Sequence, residues 1–211
     1  MRFPAPQRML SWAIVGGGLR TASSVAWRQV VEGELGLDVD PRLLLARGLS
    51  DEGLTDAVGL LTGCALTGAV ERRATLGALA AGCVATVGLG NALRAGDPAA
   101  PPPRPVGTIN LCVWLSRPLS DEALVEAQAL AAEARTLAML DAVVPSTVSG
   151  RPSTGTGTDC QVVAAPLGDE PIAFVGKHTV AGQLLGAVVR DAVGEGVARW
   201  LARYGARRAL A

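Results

Sequence analysis

The order of strand-like and helix-like patterns along the chain restricts its fold more than any other feature. Apolar runs of strand length occupy residues 9–15, 23–31, 57–64 and 82–89, and only a short helix pattern at 41–47 interrupts them. A clear strand pattern at 108–115 is followed by a long helix pattern from residue 121, strand patterns at 162–165 and 172–175, and a final helix at 180–204. Because strands and helices do not alternate regularly, we expect an α+β layered domain with a largely antiparallel or mixed sheet, and not a Rossmann-type fold.

Two of these patterns also predict which side chains are buried. Alternate positions of 108–115 place aliphatic side chains on one face, and the helix that follows carries an alanine-rich stripe at 124–138 and an N-cap at Ser120. Hydrophobic residues make up 49% of the chain but aromatic residues only 3%, so small and aliphatic side chains must fill the core. The 211 residues suit one domain, with the proline-rich stretch 95–105 as a surface loop.

Charge and cysteine usage argue against several functional classes. The 19 basic residues are balanced by 19 acidic ones, so the chain lacks the basic footprint of a nucleic-acid-binding protein. Its four cysteines are widely spaced without a CxxC pair, which favours reduced thiols in a cytoplasmic protein over a disulfide framework or a zinc site. The charge-free stretch 76–93 is rich in Gly, Ala and Thr, which favours a buried segment over a membrane span. The apolar run at 9–15 is too short for a convincing signal peptide.

Two polar, glycine-containing segments are the best candidates for a functional site. TGTGTD at 154–159 precedes the strand pattern at 162–165, and GKHT at 176–179 follows the one at 172–175. We expect both segments at the ends of neighbouring strands, where loops commonly carry function. Asp159 offers a carboxylate and His178, the only histidine, offers a base. The structural alternatives are a polar turn stabilised by Asp159 and a surface histidine beside a helix cap at Thr179.

Three further polar residues are ambiguous from the sequence. Asn91 and Asn110 lie in or beside apolar runs and must find hydrogen-bond partners, as structural or as substrate-positioning amides. Glu133 lies on the same helix side as Glu122 and Glu126, so periodicity alone assigns it to a solvated acidic flank.

Taken together, the ordered motifs resemble the adenosylcobinamide amidohydrolase family, the CbiZ type. The matching stretches are ATVGLGNA at 85–92, GTIN at 107–110, EA at 126–127 with AEART at 132–136, TGTGTD at 154–159, and GKHT at 176–179 leading into GQLLG at 182–186. The glycines at 16–18 also fit. Three positions depart from the family pattern: Gly90 replaces a usual Ser, Arg135 a usual Lys and Gln183 a usual Glu.

The resemblance implies hydrolysis of the amide between aminopropanol and the corrin ring of adenosylcobinamide, which gives adenosylcobyric acid in corrinoid salvage. The corrinoid is then the substrate, and no cofactor is required. The implied catalytic set is His178 as general acid or base, Asp159 or Glu133 to orient it, and Thr156 or Thr158 as a covalent alternative to direct attack by water. The implied substrate-binding residues are Gly17, Gly18, Asn91, Thr108, Asn110, Thr154, Gly155, Gly157, Lys177 and Thr179.

Other readings stay open. The chain could be a non-catalytic corrinoid-binding module or an unrelated small-molecule amidase that uses the same loops. A metal-dependent hydrolase would need a carboxylate-rich site, because one histidine is available. No nucleic-acid or membrane partner is expected, and the sequence leaves a homo-oligomer open.

Overall fold

The computed structural model describes residues 1–31, 33–36, 38–99 and 107–208, with side chains as far as residue 205. It consists of a mixed seven-stranded sheet, a two-stranded ribbon and helices, which confirms the α+β prediction. The elements in chain order are β1 (Arg2–Ser11), β2 (Gly18–Gln29), α1 (Pro41–Asp51), β3 (Val58–Thr62), a 3₁₀ turn (Leu66–Gly68), β4 (Val70–Leu76), β5 (Leu79–Val87), β6 (Ala92–Leu93), β7 (Ile109–Leu115), α2 (Asp121–Asp141), β8 (Gly155–Thr156), β9 (Cys160–Pro166) and α3 (Val180–Arg208).

The strand order of the large sheet is β3-β2-β1-β9-β7-β5-β4. The pairs β7–β9 and β2–β3 are parallel and the remaining neighbours are antiparallel, while β6 and β8 form a separate antiparallel ribbon. Strand β2 is divided: its first part pairs with β1, and from Val25 onward it pairs with β3. This division brings β3 against β7, where Asn110 donates a hydrogen bond to the carbonyl oxygen of Leu61.

Small and aliphatic side chains fill the core, as the low aromatic content predicts. On one face of the sheet, buried residues of β7 such as Leu111 and Val113 pack against α2 and α3. The predicted stripe of α2 is buried there, and its alanines let the helices approach closely. On the other face, Met9, Val25 and Val162 form a second core.

Local capping sets the starts of both long helices. Ser120 accepts a hydrogen bond from the Ala123 amide at 3.2 Å, which confirms it as the N-cap of α2. Thr179 accepts one from the Gly182 amide at 2.9 Å, so the predicted cap of α3 is also confirmed. Among the described residues no helix is long and apolar enough to cross a membrane.

Two predicted strand assignments differ from the structure. Residues 172–175 form no strand, since Ile172 makes only a single bridge to Leu119 and the Val175 amide donates to the Glu126 carboxylate. A four-residue apolar run buries equally well in an irregular segment, so its hydropathy does not specify a strand. The first strand covers Arg2–Ser11 instead of 9–15, and the charged edge strand β4 was not predicted.

The proline-rich prediction can be examined only in part. Residues 95–99 lie outside regular secondary structure, and residues 100–106 lie outside the described residues.

Candidate active site

Most of the segments predicted to carry chemistry lie at one edge of the central sheet, the edge at which β7 and β9 begin and β1 and β5 end. Because β7 and β9 are parallel, with Asn110 opposite Cys160, the residues just before the two strands lie side by side. Strand β5 runs antiparallel to β7, so the segment 88–91 that follows it arrives at the same edge. Strand β1 runs antiparallel to β9 and brings Trp12 there as well. Residues far apart in the sequence therefore meet at this edge.

Asp159 is the centre of a hydrogen-bond network at this edge. Its side chain is 8% exposed. One carboxylate oxygen, Oδ1, accepts hydrogen bonds from the Ile109 amide at 3.2 Å and from the Thr156 hydroxyl. The other, Oδ2, accepts from the Thr156 amide at 2.9 Å and lies 3.4 Å from Nη1 of Arg135. The carboxylate thus joins the 154–159 loop to β7 and to α2.

The surroundings of Asp159 change its acidity. Burial raises the pKa of the Asp159 carboxyl above its ordinary value, and the Arg135 guanidinium and the hydrogen bonds from Thr156 and Ile109 offset only part of that rise. A carboxyl group with a raised pKa beside a cleft is a typical acid–base candidate.

Two glycines are required by the close packing of these loops. A Cβ atom on Gly155 would lie 2.2 Å from Oδ2 of Asp159. A Cβ on Gly107 would lie 2.5 Å from the Gly88 carbonyl oxygen and 2.6 Å from the Gly90 nitrogen. At these two positions the absence of a side chain lets the backbone approach other parts of the protein closely.

A second set of hydrogen bonds joins Thr108, Asn110 and Thr158. The Thr108 hydroxyl lies 2.8 Å from the Thr158 carbonyl oxygen and 3.3 Å from Oδ1 of Asn110. The Thr158 hydroxyl donates to the Gly107 carbonyl at 3.2 Å. These contacts hold the start of β7 and the loop before β9 in a fixed relative position.

Asn91 has a structural role in the network. Its Oδ1 accepts a hydrogen bond from the Gly107 amide at 3.2 Å, and its carbonyl oxygen accepts one from the Gly157 amide at 3.3 Å. Through its side chain and its backbone carbonyl, the buried Asn91 therefore connects three loops. These bonds leave a direct contact of Asn91 with substrate as a prediction.

An open cleft with a volume of about 330 Å³ lies between β3 and the starts of β7 and β9. Thr62, Thr108, Asn110, Thr158 and Asp159 contribute polar lining. The remaining lining residues are mainly apolar: Trp12, Ile14, Val30, Leu35, Pro41, Gly59, Leu60, Leu61, Gly63, Gly107 and Cys160. A cleft with apolar walls and a few convergent polar groups is the usual form of a small-molecule site.

Cys160 also lines the cleft, but it is a poor nucleophile. Burial raises the pKa of its thiol to about 11, so the group stays protonated at neutral pH. The thiol of Cys64, which lies 4.0 Å from the Thr108 carbonyl oxygen, has a pKa raised by burial as well.

The segment 176–179 does not join this network through any contact that the structure describes. The Lys177 ammonium pairs with the Glu133 carboxylate at 2.7 Å, both side chains being exposed, and Thr179 caps α3. His178 is exposed and is not among the residues that line the cleft. The expected arrangement at neighbouring strand ends is wrong because residues 172–175 form no strand, so that 176–179 follows an irregular segment. Catalytic roles for His178 and Glu133 stay predictions.

Six other predicted binding positions, Gly17, Gly18, Asn91, Thr154, Gly155 and Gly157, also lie outside the cleft lining, as does the candidate nucleophile Thr156. Gly17 lies in the connection between β1 and β2, where a Cβ on it would meet the Ala13 carbonyl oxygen at 2.3 Å, and Gly18 is the first residue of β2. The Thr154 hydroxyl accepts from the Ala95 amide at 2.8 Å, and its carbonyl accepts from Thr136. Their roles in substrate binding stay predictions.

Two residues of the site were missed as site residues by sequence reasoning. Trp12 donates from its indole nitrogen to the Asp159 carbonyl at 2.8 Å, and Arg135 pairs with the Asp159 carboxylate. The motif at 132–136 includes Arg135, so the resemblance contains a signal for this residue. Nothing in the local sequence marked Trp12, because its position depends on the pairing of β1 with β9.

Comparison with known proteins identifies the family to which this chain belongs. The family model CbiZ, described as adenosylcobinamide amidohydrolase, matches residues 1–205. The chain belongs to this family. The motif resemblance is thereby confirmed, and the matched range contains the whole Asp159 network. In the described part of the chain, no group of three or more His, Cys, Asp or Glu residues could hold a metal ion.

Individual relatives extend the comparison. A curated adenosylcobinamide amidohydrolase of Halobacterium salinarum (strain ATCC 700922 / JCM 11081 / NRC-1) is 38% identical over 89 residues, which are 42% of this chain and 35% of that protein. The aligned part therefore spans about a third of that relative's length. A solved structure, the PH0078 protein from Pyrococcus horikoshii OT3, aligns over 63% of this chain and 38% of its own, with 16% identity and a TM-score of 0.33. That score is too low to establish a shared fold.

Proposed function

We propose that this chain hydrolyses the amide bond between aminopropanol and the corrin ring of adenosylcobinamide. The products are adenosylcobyric acid and aminopropanol, so the reaction returns an incomplete corrinoid to cobalamin assembly. The corrinoid is the substrate, and the proposal needs no further cofactor. The observation that carries the proposal is the match of the amidohydrolase family model to residues 1–205. We place the protein in the cytoplasm, an expectation that rests on its cysteine usage.

The cleft supports the proposal because its polar lining suits an amide. Thr108, Asn110 and Thr158 offer hydroxyl and amide groups that can donate to a carbonyl oxygen and accept from an N–H group. The volume of about 330 Å³ fits an amide-bearing side arm better than a whole macrocycle. We therefore place the scissile amide in the cleft and the ring outside it.

Hydrolysis adds water across the amide. An oxygen nucleophile attacks the carbonyl carbon, the C–N bond breaks, and aminopropanol leaves after its nitrogen gains a proton. Asp159 is our candidate for proton transfer, because its carboxylate accepts the Thr156 hydroxyl hydrogen bond and its pKa is raised by burial. A hydroxyl bonded to a carboxylate is an arrangement that can activate an oxygen nucleophile. Thr158, which lines the cleft, is the second candidate hydroxyl.

The tetrahedral intermediate needs donors for its oxyanion. The backbone amides of Thr158 and Asp159 make no hydrogen bond to another residue in the described part of the chain, which makes them our candidates. One such donor contributes roughly 3 kcal/mol to transition-state stabilisation. Correct positioning of the amide can contribute about 7–11 kcal/mol, so substrate placement should matter more than any single donor.

The direct test is incubation with adenosylcobinamide and detection of released aminopropanol. We expect equal amounts of aminopropanol and adenosylcobyric acid from the wild-type protein. Corrinoid binding without release would favour a non-catalytic corrinoid-binding module. Absence of both would favour an unrelated amidase. A mass-spectrometric search for an acyl-enzyme on Thr156 or Thr158 separates covalent catalysis from direct attack by water.

A further inference from the structure

The rim of the cleft carries large apolar side chains that the solvent reaches. Trp12 is 49% exposed, Ile14 39% and Leu35 42%, and all three line the cleft. Single exposed apolar residues are ordinary, but a cluster around a cleft with polar lining marks a contact surface. The opposite face of the central sheet is covered by α2 and α3.

Trp12 is held in place despite its exposure. Its indole nitrogen donates to the Asp159 carbonyl oxygen at 2.8 Å. The only polar atom of the side chain is thus satisfied, and the ring presents an apolar surface of fixed orientation. Large aromatic rings of this kind supply contact area at a small entropic cost. The same hydrogen bond links the position of the ring to the loop that carries the Asp159 network.

The size of the cleft requires a contact outside it. Pockets that enclose a drug-sized ligand measure about 300–1,000 Å³, and a cobinamide is larger than such a ligand. A cleft of about 330 Å³ can enclose one side arm, so the macrocycle must rest on the rim. The conjugated, methyl-bearing corrin ring is chemically complementary to an exposed indole and its aliphatic neighbours.

We propose that Trp12 is a positioning residue that supports the corrin ring at the rim while the amide arm occupies the cleft. This inference rests on the proposed function for the identity of the ligand. Ile14 and Leu35, which are also exposed and line the cleft, add apolar surface to this contact. The ring contact then holds the scissile amide near Thr108 and Thr158.

Binding should be measured with adenosylcobyric acid, which keeps the ring and lacks aminopropanol, and turnover with adenosylcobinamide. For Trp12→Ala we expect the Kd of adenosylcobyric acid and the KM for adenosylcobinamide to rise roughly 10- to 100-fold, with kcat changed less than about threefold. Trp12→Phe, which keeps an aromatic face, should recover most of the affinity. Leu76→Ala, at an exposed position on edge strand β4, is the matched control and should bind like the wild type.

The outcomes separate this inference from the proposed function. If the wild type binds corrinoid without releasing aminopropanol, and Trp12→Ala weakens that binding, the catalytic proposal fails and the ring contact stands. Unchanged affinity in a folded Trp12→Ala variant overturns the ring contact even if turnover is normal. A fall in kcat alone also overturns it, since Trp12 would then act through the Asp159 loop. If Trp12→Ala changes the oligomeric state while the affinity for adenosylcobyric acid stays the same, the surface contacts a second copy of this chain and not the corrin ring. A wild type that binds no corrinoid refutes both proposals.

Discussion

Removal of the Asp159 side chain should cost far more stability than removal of its charge. In Asp159→Ala, the Ile109 and Thr156 amides lose their acceptor and Arg135 keeps a largely buried guanidinium without its partner. Breaking a buried pair in this way costs about 3–5 kcal/mol. Asp159→Asn keeps the volume and one acceptor oxygen. Because burial raises the pKa of Asp159, its charge does not stabilise the folded state, and we expect a loss of only about 1–2 kcal/mol, which comes from the weakened hydrogen bonds.

The pH dependence has a defined sign. Since the carboxyl of Asp159 holds its proton more tightly in the folded than in the unfolded chain, its contribution to the free energy of unfolding is fully present below the unfolded pKa of about 3.9. That contribution is lost as the pH rises through the higher folded pKa. The Asn variant cannot titrate and should lack this part of the pH profile.

Urea unfolding followed by circular dichroism measures these differences at pH 7 and across the acid range. The midpoint should fall with an unchanged m-value, and Asp169→Ala, an exposed loop carboxylate, should stay within about 0.5 kcal/mol of the wild type. Equal destabilisation by Asn and Ala would mean that the charge itself stabilises the fold. An Asp159→Ala variant as stable as the control would refute the conclusion that the hydrogen bonds and ion pair of Asp159 stabilise the fold.

Three further predictions follow from the same geometry. His178→Ala tests the acid–base role predicted from the sequence: a loss of turnover of about 10²-fold or more would establish that role, and turnover within about threefold, which the position of His178 outside the cleft lining favours, would remove it. Gly107→Ala should lower the free energy of unfolding by about 1–3 kcal/mol in a urea titration, since its Cβ would meet the Gly88 carbonyl oxygen at 2.5 Å. Gly68→Ala, with open space around its Cβ, is the matched control, and equal effects would contradict the packing argument. Cys160 should react with iodoacetamide at pH 8 much more slowly than a free cysteine, because its pKa of about 11 leaves roughly one thiolate in a thousand; peptide mapping that finds rapid alkylation there would contradict its assignment as an inert thiol.

Local patterns predicted the helices well because their causes are local. The N-cap at Ser120 and the alanine stripe of α2 depend on residues within a few turns of each other. The same holds for the cap of α3 at Thr179. The strand pattern of β7 was equally clear, because alternate residues face the helices.

The arrangement of the site could not be predicted in the same way. Asp159 meets Ile109 and Arg135 only because β7 and β9 are parallel neighbours under α2, and no local pattern specifies that pairing. Trp12 reaches the site through the pairing of β1 with β9. The sequence motifs include Thr108, Asn110 and Asp159, which the structure brings together at the cleft, but they did not reveal that His178 lies outside the cleft lining.

The release of aminopropanol from adenosylcobinamide tests the central claim most directly. Purified protein is incubated with adenosylcobinamide, and both products are quantified by liquid chromatography and mass spectrometry. We expect aminopropanol and adenosylcobyric acid to appear in equal amounts over many turnovers, and both to fall at least about 10²-fold in Asp159→Asn at matched folded protein. Intact adenosylcobinamide after prolonged incubation with the folded wild type would contradict the proposed activity. Full turnover by Asp159→Asn would contradict the proposed role of Asp159 in proton transfer.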